Sequence, residues 1–349
     1  MKSQDFKVPP GTLQQVLALG ICLLTFGCGE SATSGRTDVD TVHKASPGPL
    51  IRSTGLSPSE VTRPDAPLFE SLSAEQTGVA FVNPLLIDHP LNALNGSGFA
   101  CGGVCIGDIN GDGRPDLYLI SGSGRNRLYL QSGDVQFTDA TAATGVDGGE
   151  AWGAGGALVD IDNDGDLDIY VCNYDSANQL YINNGAGARF TESARKYGLD
   201  VVDSSLMPTF ADFDNDGHLD LFLLTHRYYR PGGRPTRPPV GFQSGKPYIL
   251  PEFEKYYCLR QVGPGNYTAD TCGRPDYLFR NNGNGTFSNV TAQAGIREPG
   301  HGLSATWWDY NNDGWLDLYV GNDFTDPDHL YRNNKDGTFL DVIVDTLPI

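Results

Sequence analysis

From Gly103 onward the chain alternates short apolar runs with polar turns, and it does so four times on one plan. The first run of each unit is Gly103-Val104-Cys105-Ile106, Ala157-Leu158-Val159, Thr209-Phe210-Ala211 or Ser304-Ala305-Thr306-Trp307-Trp308. An acidic turn follows, then a second run: Leu117 to Ile120, Ile169 to Cys172, Leu221 to Thr225, or Leu318 to Gly321. The third run reads Leu128-Tyr129-Leu130, Leu180-Tyr181-Ile182, Tyr277-Leu278-Phe279 or Leu330-Tyr331-Arg332. Turns such as Asn183-Asn184-Gly185, Asn282-Gly283 and Asp336-Gly337 favour hairpins. A fourth run opens with Phe137, Phe190, Phe287 or Phe339, and three units run on to Gly145, Gly198 or Gly295 before an aliphatic residue. Apolar runs this short, bounded by turn residues, predict strands. Each unit is expected to be four short antiparallel strands.

The acidic turn is the same nonapeptide each time. Its copies start at Asp108, Asp160, Asp212 and Asp309. Positions 1, 3, 5 and 9 carry side-chain oxygens: Asp108, Asn110, Asp112 and Asp116; Asp160, Asp162, Asp164 and Asp168; Asp212, Asp214, Asp216 and Asp220; Asp309, Asn311, Asp313 and Asp317. Position 6 is Gly, which permits the φ > 0 bend that closes the turn. The main-chain carbonyl at position 7 (Arg114, Asp166, His218 or Trp315) supplies a further oxygen. A hard cation such as Ca²⁺ takes six to eight oxygen ligands, so these residues are the candidate calcium ligands at about four sites. An EF-hand begins similarly but needs a Glu at position 12 and flanking helices. Position 12 here is Leu119, Val171, Leu223 or Val320, and the flanks are strand-like. No His/Cys set has zinc spacing.

The loop starts are 52, 52 and 97 residues apart. Four-stranded units at such intervals predict the blades of an all-β propeller, since one blade cannot bury both faces alone. A β-solenoid is the runner-up, though its repeats are usually shorter. The loops resemble the FG-GAP/VCBS repeats of integrin-type propellers. With Trp152-Gly153, Leu303-Ser304-Ala305-Thr306-Trp307 and Leu330-Tyr331-Arg332-Asn333-Asn334, the chain is similar to the cartilage acidic protein (ASPIC/UnbV) family over about residues 67–345. That resemblance implies an extracellular calcium-binding propeller with an interaction role and no established chemistry. Members of that family usually carry further repeats and a C-terminal domain, and the present sequence is expected to be truncated before them. Phe69 to Val79 reads as a fourth strand without its three predecessors, and a partner for it is expected beyond Ile349. The four units are therefore expected to form an open arc rather than a sealed four-blade ring, with edges exposed to aggregation.

Charge and composition narrow the picture. The 44 glycines exceed the usual ~7 % and fit many tight turns. A formal charge of −19 argues against nucleic acid as a partner. Four Ca²⁺ would bring −19 to −11, so chelation should loosen the fold. The loops at Asp160 and Asp212 have an extra carboxylate and are expected to bind more tightly. Lys2, Lys7, the apolar stretch Val16 to Phe26 and Gly27-Cys28 read as an export signal, too short to span a bilayer. It resembles a bacterial lipoprotein signal over residues 1–28, with Cys28 lipidated, and residues 29–66 read as a flexible tether. Secretion with ordinary cleavage and an uncleaved anchor are the alternatives. The expected location is the bacterial cell envelope or the exterior, with membrane association through Cys28.

The 97-residue interval holds an insertion at about 226–274. It is basic in an acidic chain, with Arg227, Arg230, Arg234, Arg237, Lys246, Lys255, Arg260 and Arg274 interleaved with Tyr228, Tyr229, Phe242, Tyr248, Phe253, Tyr256, Tyr257 and Tyr267. Long loops on rigid scaffolds often carry recognition. One reading is a site for an acidic glycan or protein surface; the other is a packed lid whose arginines pair with nearby Asp. Cys258 and Cys272 lie in the insertion and are the first candidates to pair in an oxidising compartment. Cys105 and Cys172 read as buried apolar residues, and Cys101 is ambiguous. The preferred function is a calcium-binding adhesion or binding scaffold with a protein or glycan ligand. The alternative is a calcium-dependent polysaccharide lyase or hydrolase using His226, Arg227, Tyr228 and Tyr229, the only cluster of suitable types.

Overall fold

Each predicted unit folds as a four-stranded antiparallel blade. The structure is a computed structural model that describes residues 69–185, 187, 189–296, 299–323 and 326–343. The export signal, Cys28 and the tether lie outside the described residues. Blade one comprises β1 (Gly102–Gly107), β2 (Asp116–Ser121), β3 (Arg127–Gly133) and β4 (Gln136–Asp139), hydrogen-bonded in chain order. Blade two comprises β5 (Trp152–Val159), β6 (Asp168–Ala177), β7 (Gln179–Asn183) and β8 (Phe190–Glu192). Blade three opens with β9 (Val202–Ala211) and β10 (Asp220–Thr225). Two hairpins then interrupt it, β11 (Val240–Gln243) with β12 (Lys246–Ile249), and β13 (Tyr257–Gly263) with β14 (Asn266–Thr271). Strands β15 (Tyr277–Asn281) and β16 (Phe287–Asn289) complete that blade. Blade four comprises β17 (Gly302–Trp308), β18 (Asp317–Asn322), β19 (His329–Asn333) and β20 (Phe339–Asp341).

The period of two along each second strand decides the packing, because neighbouring residues face opposite blades. Tyr118 and Ile120 of β2 pack on Ile169 and Val171 of β6. Tyr170 and Cys172 of β6 pack on Leu221 and Leu223 of β10. Phe222 and Leu224 of β10 pack on Leu318 and Val320 of β18. Each of these buried aliphatic or aromatic side chains contributes roughly 1.5–3 kcal/mol over an exposed one. The first strands also stack, β1 on β5, β5 on β9 and β9 on β17, and no comparable packing joins β17 to β1. Glycine permits the close approach: a Cβ on Gly155 would lie 2.2 Å from the Leu206 carbonyl oxygen.

One expectation needs correction, and two further features go beyond the predicted units. Phe69 to Val79 does not form a strand. It holds the helical turn α1 (Ala74–Thr77), capped by Ser73 and Gln76, and Phe69 is 91 % exposed. Among the described residues the segment joins no ladder, although Gly78 lies against the Phe137 carbonyl of β4. Blades two and three are not separate sheets, because β6 and β9 run longer than their apolar cores and pair with each other from Tyr174↔Ser204 to Ala177↔Val202. The segments ending in Gly145, Gly198 and Gly295 are helical turns. They follow α2 (Ala93–Ser97) as α3 (Thr141–Thr144), α4 (Ala194–Tyr197) and α5 (Thr291–Ala294), each closed by a left-handed glycine. Among the described residues no helix is long and apolar enough to cross a membrane.

A clasp absent from the sequence reading joins successive blades. Asn183, Asn281 and Asn333 end their third strands and are buried. Each donates its amide to a loop carbonyl of the preceding blade: Asn183 to Ile109 at 3.1 Å, Asn281 to Ile161 at 3.2 Å, Asn333 to Phe213 at 2.8 Å. The same amides reach the own-blade carbonyls of Leu167, Leu219 and Leu316. Blade one has Gln131 at this place; among the described residues no blade precedes it, and its buried Oε1 finds no partner there. Asn281→Ala would leave two buried carbonyls unpaired and should cost about 1–3 kcal/mol, whereas Gln131→Ala should cost far less. Urea midpoints of the two variants check this; equal losses would show that the asparagine is not a clasp between blades.

Candidate metal loops and the cleft at the opposite end

The four acidic loops lie between first and second strands, and their hydrogen bonding is nearly identical. The carboxylate at position 1 accepts from the main-chain N–H groups of positions 5 and 6 at 2.7–3.0 Å in every loop. The carboxylate at position 5 accepts from position 7, as in Arg114 to Asp112 and His218 to Asp216. Position 4 is Gly111, Asn163, Asn215 or Asn312, all at positive φ, which explains a Gly/Asn preference that the sequence reading passed over. Position 9 is buried to within 1 % in all four copies. One of its oxygens accepts from position 2 at 2.9–3.3 Å, and the other from the end of the third strand at 2.7–2.8 Å.

Two loops draw carboxylates together. Asp160, Asp162 and Asp168 place one oxygen each within 4.8 Å of one another, and so do Asp212, Asp214 and Asp216. Burial pushes the carboxyls of Asp168 and Asp220 up to about 7, against the pull of the amides they accept, and neighbouring loop carboxylates add to it. Asp116 and Asp317 are raised for the same first reason. Asp214 Oδ1 is buried and has no hydrogen-bond partner among the described residues. An all-oxygen donor set with an orphaned buried carboxylate oxygen fits a hard cation. Loops one and four carry Asn110 and Asn311, whose carbonyls accept from Asp112 and Asp313. Basic side chains approach three loops: Arg114 on Asp112 at 3.4 Å, Arg280 on Asp214 at 2.7 Å and Asp216 at 3.2 Å, Lys335 on Asp313 at 3.2 Å. Loop two has no such ion pair among the described residues.

The insertion leaves from the other end of β10, so it stands a strand length, roughly 20 Å, from the loop of its own blade. Arg274 and Tyr277 pin its base to buried Asp203, at 2.8 Å and 2.7 Å. Burial would raise that carboxyl, yet these donors hold it below the usual range. Lys255 pairs with Asp175, Arg260 with Asp270 and Asp326, and Arg237 with Glu252. Phe253 and Tyr228 are buried, with Lys255 and Arg274 over the Tyr228 ring. In these respects it is a packed lid. Arg227, Arg230 and Arg234, however, face a cleft of about 850 Å³ and have no carboxylate partner among the described residues.

Of the cluster at 226–229, Arg227, Tyr228 and Tyr229 line the cleft together, but His226 is set apart from it. His226 is 1 % exposed, against Phe99 (ring centroids 4.0 Å) and His301 (5.3 Å), while Arg227 lines the cleft. Burial, then the neighbouring Arg227 and His301, push His226 down to about 3. Cys258 and Cys272 are free thiols hydrogen-bonded to each other. Cys105 and Cys172 are buried as expected, and Cys101 donates to the Leu94 carbonyl.

The sequence profile of the FG-GAP-like repeat family matches residues 108–171, 160–223, 267–320 and 309–349, three of these segments starting on the first Asp of a loop. Cartilage acidic protein 1 of Xenopus tropicalis is 25 % identical over 273 residues, covering 77 % of this chain and 35 % of its own length. The human protein of that name is 26 % identical over 238 residues, covering 67 % and 30 %. The chain thus spans about a third of the length of the curated relatives it matches. Among solved structures, an Agrocybe aegerita lectin described as recognising non-reducing terminal N-acetylglucosamine is 18 % identical. It covers 69 % of this chain and 65 % of its own, with a TM-score of 0.30, too low to carry an argument.

Buried Asp276, at the base of the insertion, yields a pH test. Its Oδ1 accepts from Thr225 N at 2.7 Å and from Thr225 Oγ1 at 3.3 Å, and burial pushes its carboxyl up to about 7. Asn126 and Asn178 accept from Ser121 and Asn173 at the equivalent places of blades one and two. A folded-state value above the ordinary 3.8 means that the folded state holds the proton more tightly. The resulting destabilisation builds as pH rises from about 4 and is complete above about 7. Asp276→Asn should therefore raise Tm at pH 8, by roughly 2–4 °C for each kcal/mol recovered, and the gain should fade towards pH 4. Thermal melts at both pH values read this; a pH-independent change would reject the buried charge as its origin.

Proposed function

This chain belongs to the FG-GAP-like repeat family, and from that premise we propose that it is an extracytoplasmic calcium-binding β-propeller acting as a binding or adhesion scaffold at the cell surface. The observation that carries the calcium reading is the third loop, where three carboxylates converge and buried Asp214 Oδ1 lacks a donor. Calcium would be held by positions 1, 3, 5 and 9 with the carbonyl of position 7. The chain's own residues do the rest. Main-chain amides orient the carboxylate at position 1, and the buried ninth Asp ties the loop to the third strand. When bound, the ion supplies the positive charge that lets these carboxylates remain ionised together. Its role is structural, because the loops lie at the end of the blades away from the cleft.

A lipid on Cys28 would tether such a scaffold to a membrane, with the ligand met by the insertion. A polysaccharide lyase or hydrolase has no support at His226, which is buried and held uncharged.

Four Ca²⁺ per chain are expected by elemental analysis, and EDTA should lower Tm by mass action. Asp160→Ala should remove the tightest site, since loop two has four carboxylates and, among the described residues, no competing cation. Arg280→Gln should tighten the third loop by freeing Asp214 and Asp216. Calorimetric titration ranks the sites. Protein that holds no alkaline-earth ion and melts identically in EDTA would sink the reading.

A further inference from the structure

We propose that the cleft beside the insertion binds an anionic oligosaccharide, a sugar chain bearing carboxylate or sulfate groups; this rests on the scaffold reading and names its ligand. The protein carries a formal charge of −19, yet three arginines with no carboxylate partner among the described residues converge on this cleft. Asp270 and Asp323 line it too, and Asp270 is already paired with Arg260 at 3.4 Å.

Two of the three guanidinium groups, those of Arg227 and Arg230, are held in place. Arg227 Nη1 donates to Thr271 Oγ1 at 3.2 Å, and Thr271 Oγ1 lies 3.2 Å from His301 Nε2. His301 Nδ1 in turn meets the Asp326 carboxylate. One assignment satisfies the whole chain: Arg227 donates to Thr271, Thr271 to His301 Nε2, and His301 Nδ1–H to Asp326. Arg227 also lies over the rings of Phe99 and Tyr229, at 5.7 Å and 5.9 Å. Arg230 lies over Phe253 at 5.5 Å and donates to the Gly233 carbonyl at 3.1 Å. Arg234 is exposed at the rim. Planar forks fixed in this way match the paired oxygens of carboxylate or sulfate.

The remaining lining suits a sugar. Tyr229, Tyr256 and Tyr257 are half-buried and present an apolar ring with a polar tip. Pro235, Pro238 and Pro239 stiffen one wall and reduce the ordering cost of binding. A volume of about 850 Å³ lies within the range of small-ligand clefts, whereas an acidic protein would need a surface of about 800 Å² on each side. A nucleic acid would meet the repulsion of the whole acidic chain.

The full calcium-loaded protein should be titrated with fluorescent oligosaccharides from polygalacturonate and chondroitin sulfate, and with a dextran oligosaccharide of equal length, by anisotropy at low and physiological salt. At least one anionic probe should bind, more weakly at higher salt, and dextran should not. Arg230→Gln and Arg234→Gln should each weaken it about ten-fold, a loss typical of a charge-assisted hydrogen bond. Arg234 makes no buried contact, so its variant keeps the test open if Arg230→Gln misfolds. Arg195→Gln, an exposed charge on α4, should change binding by less than about two-fold. Equal binding of dextran, equal loss in Arg195→Gln, or no binding of either anionic probe would overturn the proposal. So would an acidic peptide that binds with the same arginine dependence where the oligosaccharides do not. Calcium content and the EDTA melt, read on the same samples, separate the two ideas. A normal calcium response without oligosaccharide binding sinks the cleft proposal alone, and a failed calcium response sinks the scaffold reading.

Discussion

A carboxylate that gives both oxygens to the main chain is the fastener on which each blade depends. The ninth loop residue, Asp116, Asp168, Asp220 or Asp317, is buried and accepts from the loop's own second residue and from the end of the third strand. Three separate pieces of backbone meet at one side chain. Taking a charge out of water is costly, which is why the values of Asp168 and Asp220 rise so far. The fold accepts that cost four times over because the alternative is worse: buried amides with no partner. The proposed calcium would act on the same carboxylate and relieve the cost where it is largest.

From that fastener the blades are assembled in order. The strand-end asparagines that follow it reach back to the previous blade, so each new unit is keyed to the last by an amide and by the aliphatic pairs beside it. Blade one, the first among the described residues, departs from the pattern, with Gln131 in place of asparagine. Its outward residues Val104 and Ile106 are more than 60 % exposed, while the matching faces of later blades are covered. A repeat protein of this kind gains its stability at interfaces between neighbours rather than within one unit.

The two ends of the blades are built for different work. At the loop end, four copies of one hydrogen-bond scheme leave little room for variation. At the other end, the connection after β10 has grown into two hairpins that keep their base rigid through Asp203 and Arg274 yet leave three arginines facing solvent. Separating a repeated, tightly satisfied end from a singular, charged one lets recognition change without disturbing the blades.

How much of this was legible before folding is clear residue by residue. The four strands of each blade, blade order along the chain, the all-β architecture and the loop residues followed from periodicity and turn chemistry, because both act over a few residues; the four strands of the insertion did not. The buried cysteines at 105 and 172 followed from the same alternation. Local rules failed where a partner distant in sequence decides the outcome. Phe69 to Val79 has strand composition but joins no ladder among the described residues, and β6 and β9 lengthen because each finds the other. The asparagine clasp joins residues 74 and 120 positions apart, so no window could display it. In the insertion the sequence determined a basic, aromatic composition. Only the tertiary structure decided which basic side chains would be neutralised, because an ion pair depends on distance in space, and Asp175, Asp203 and Asp326 arrive there from other strands and loops.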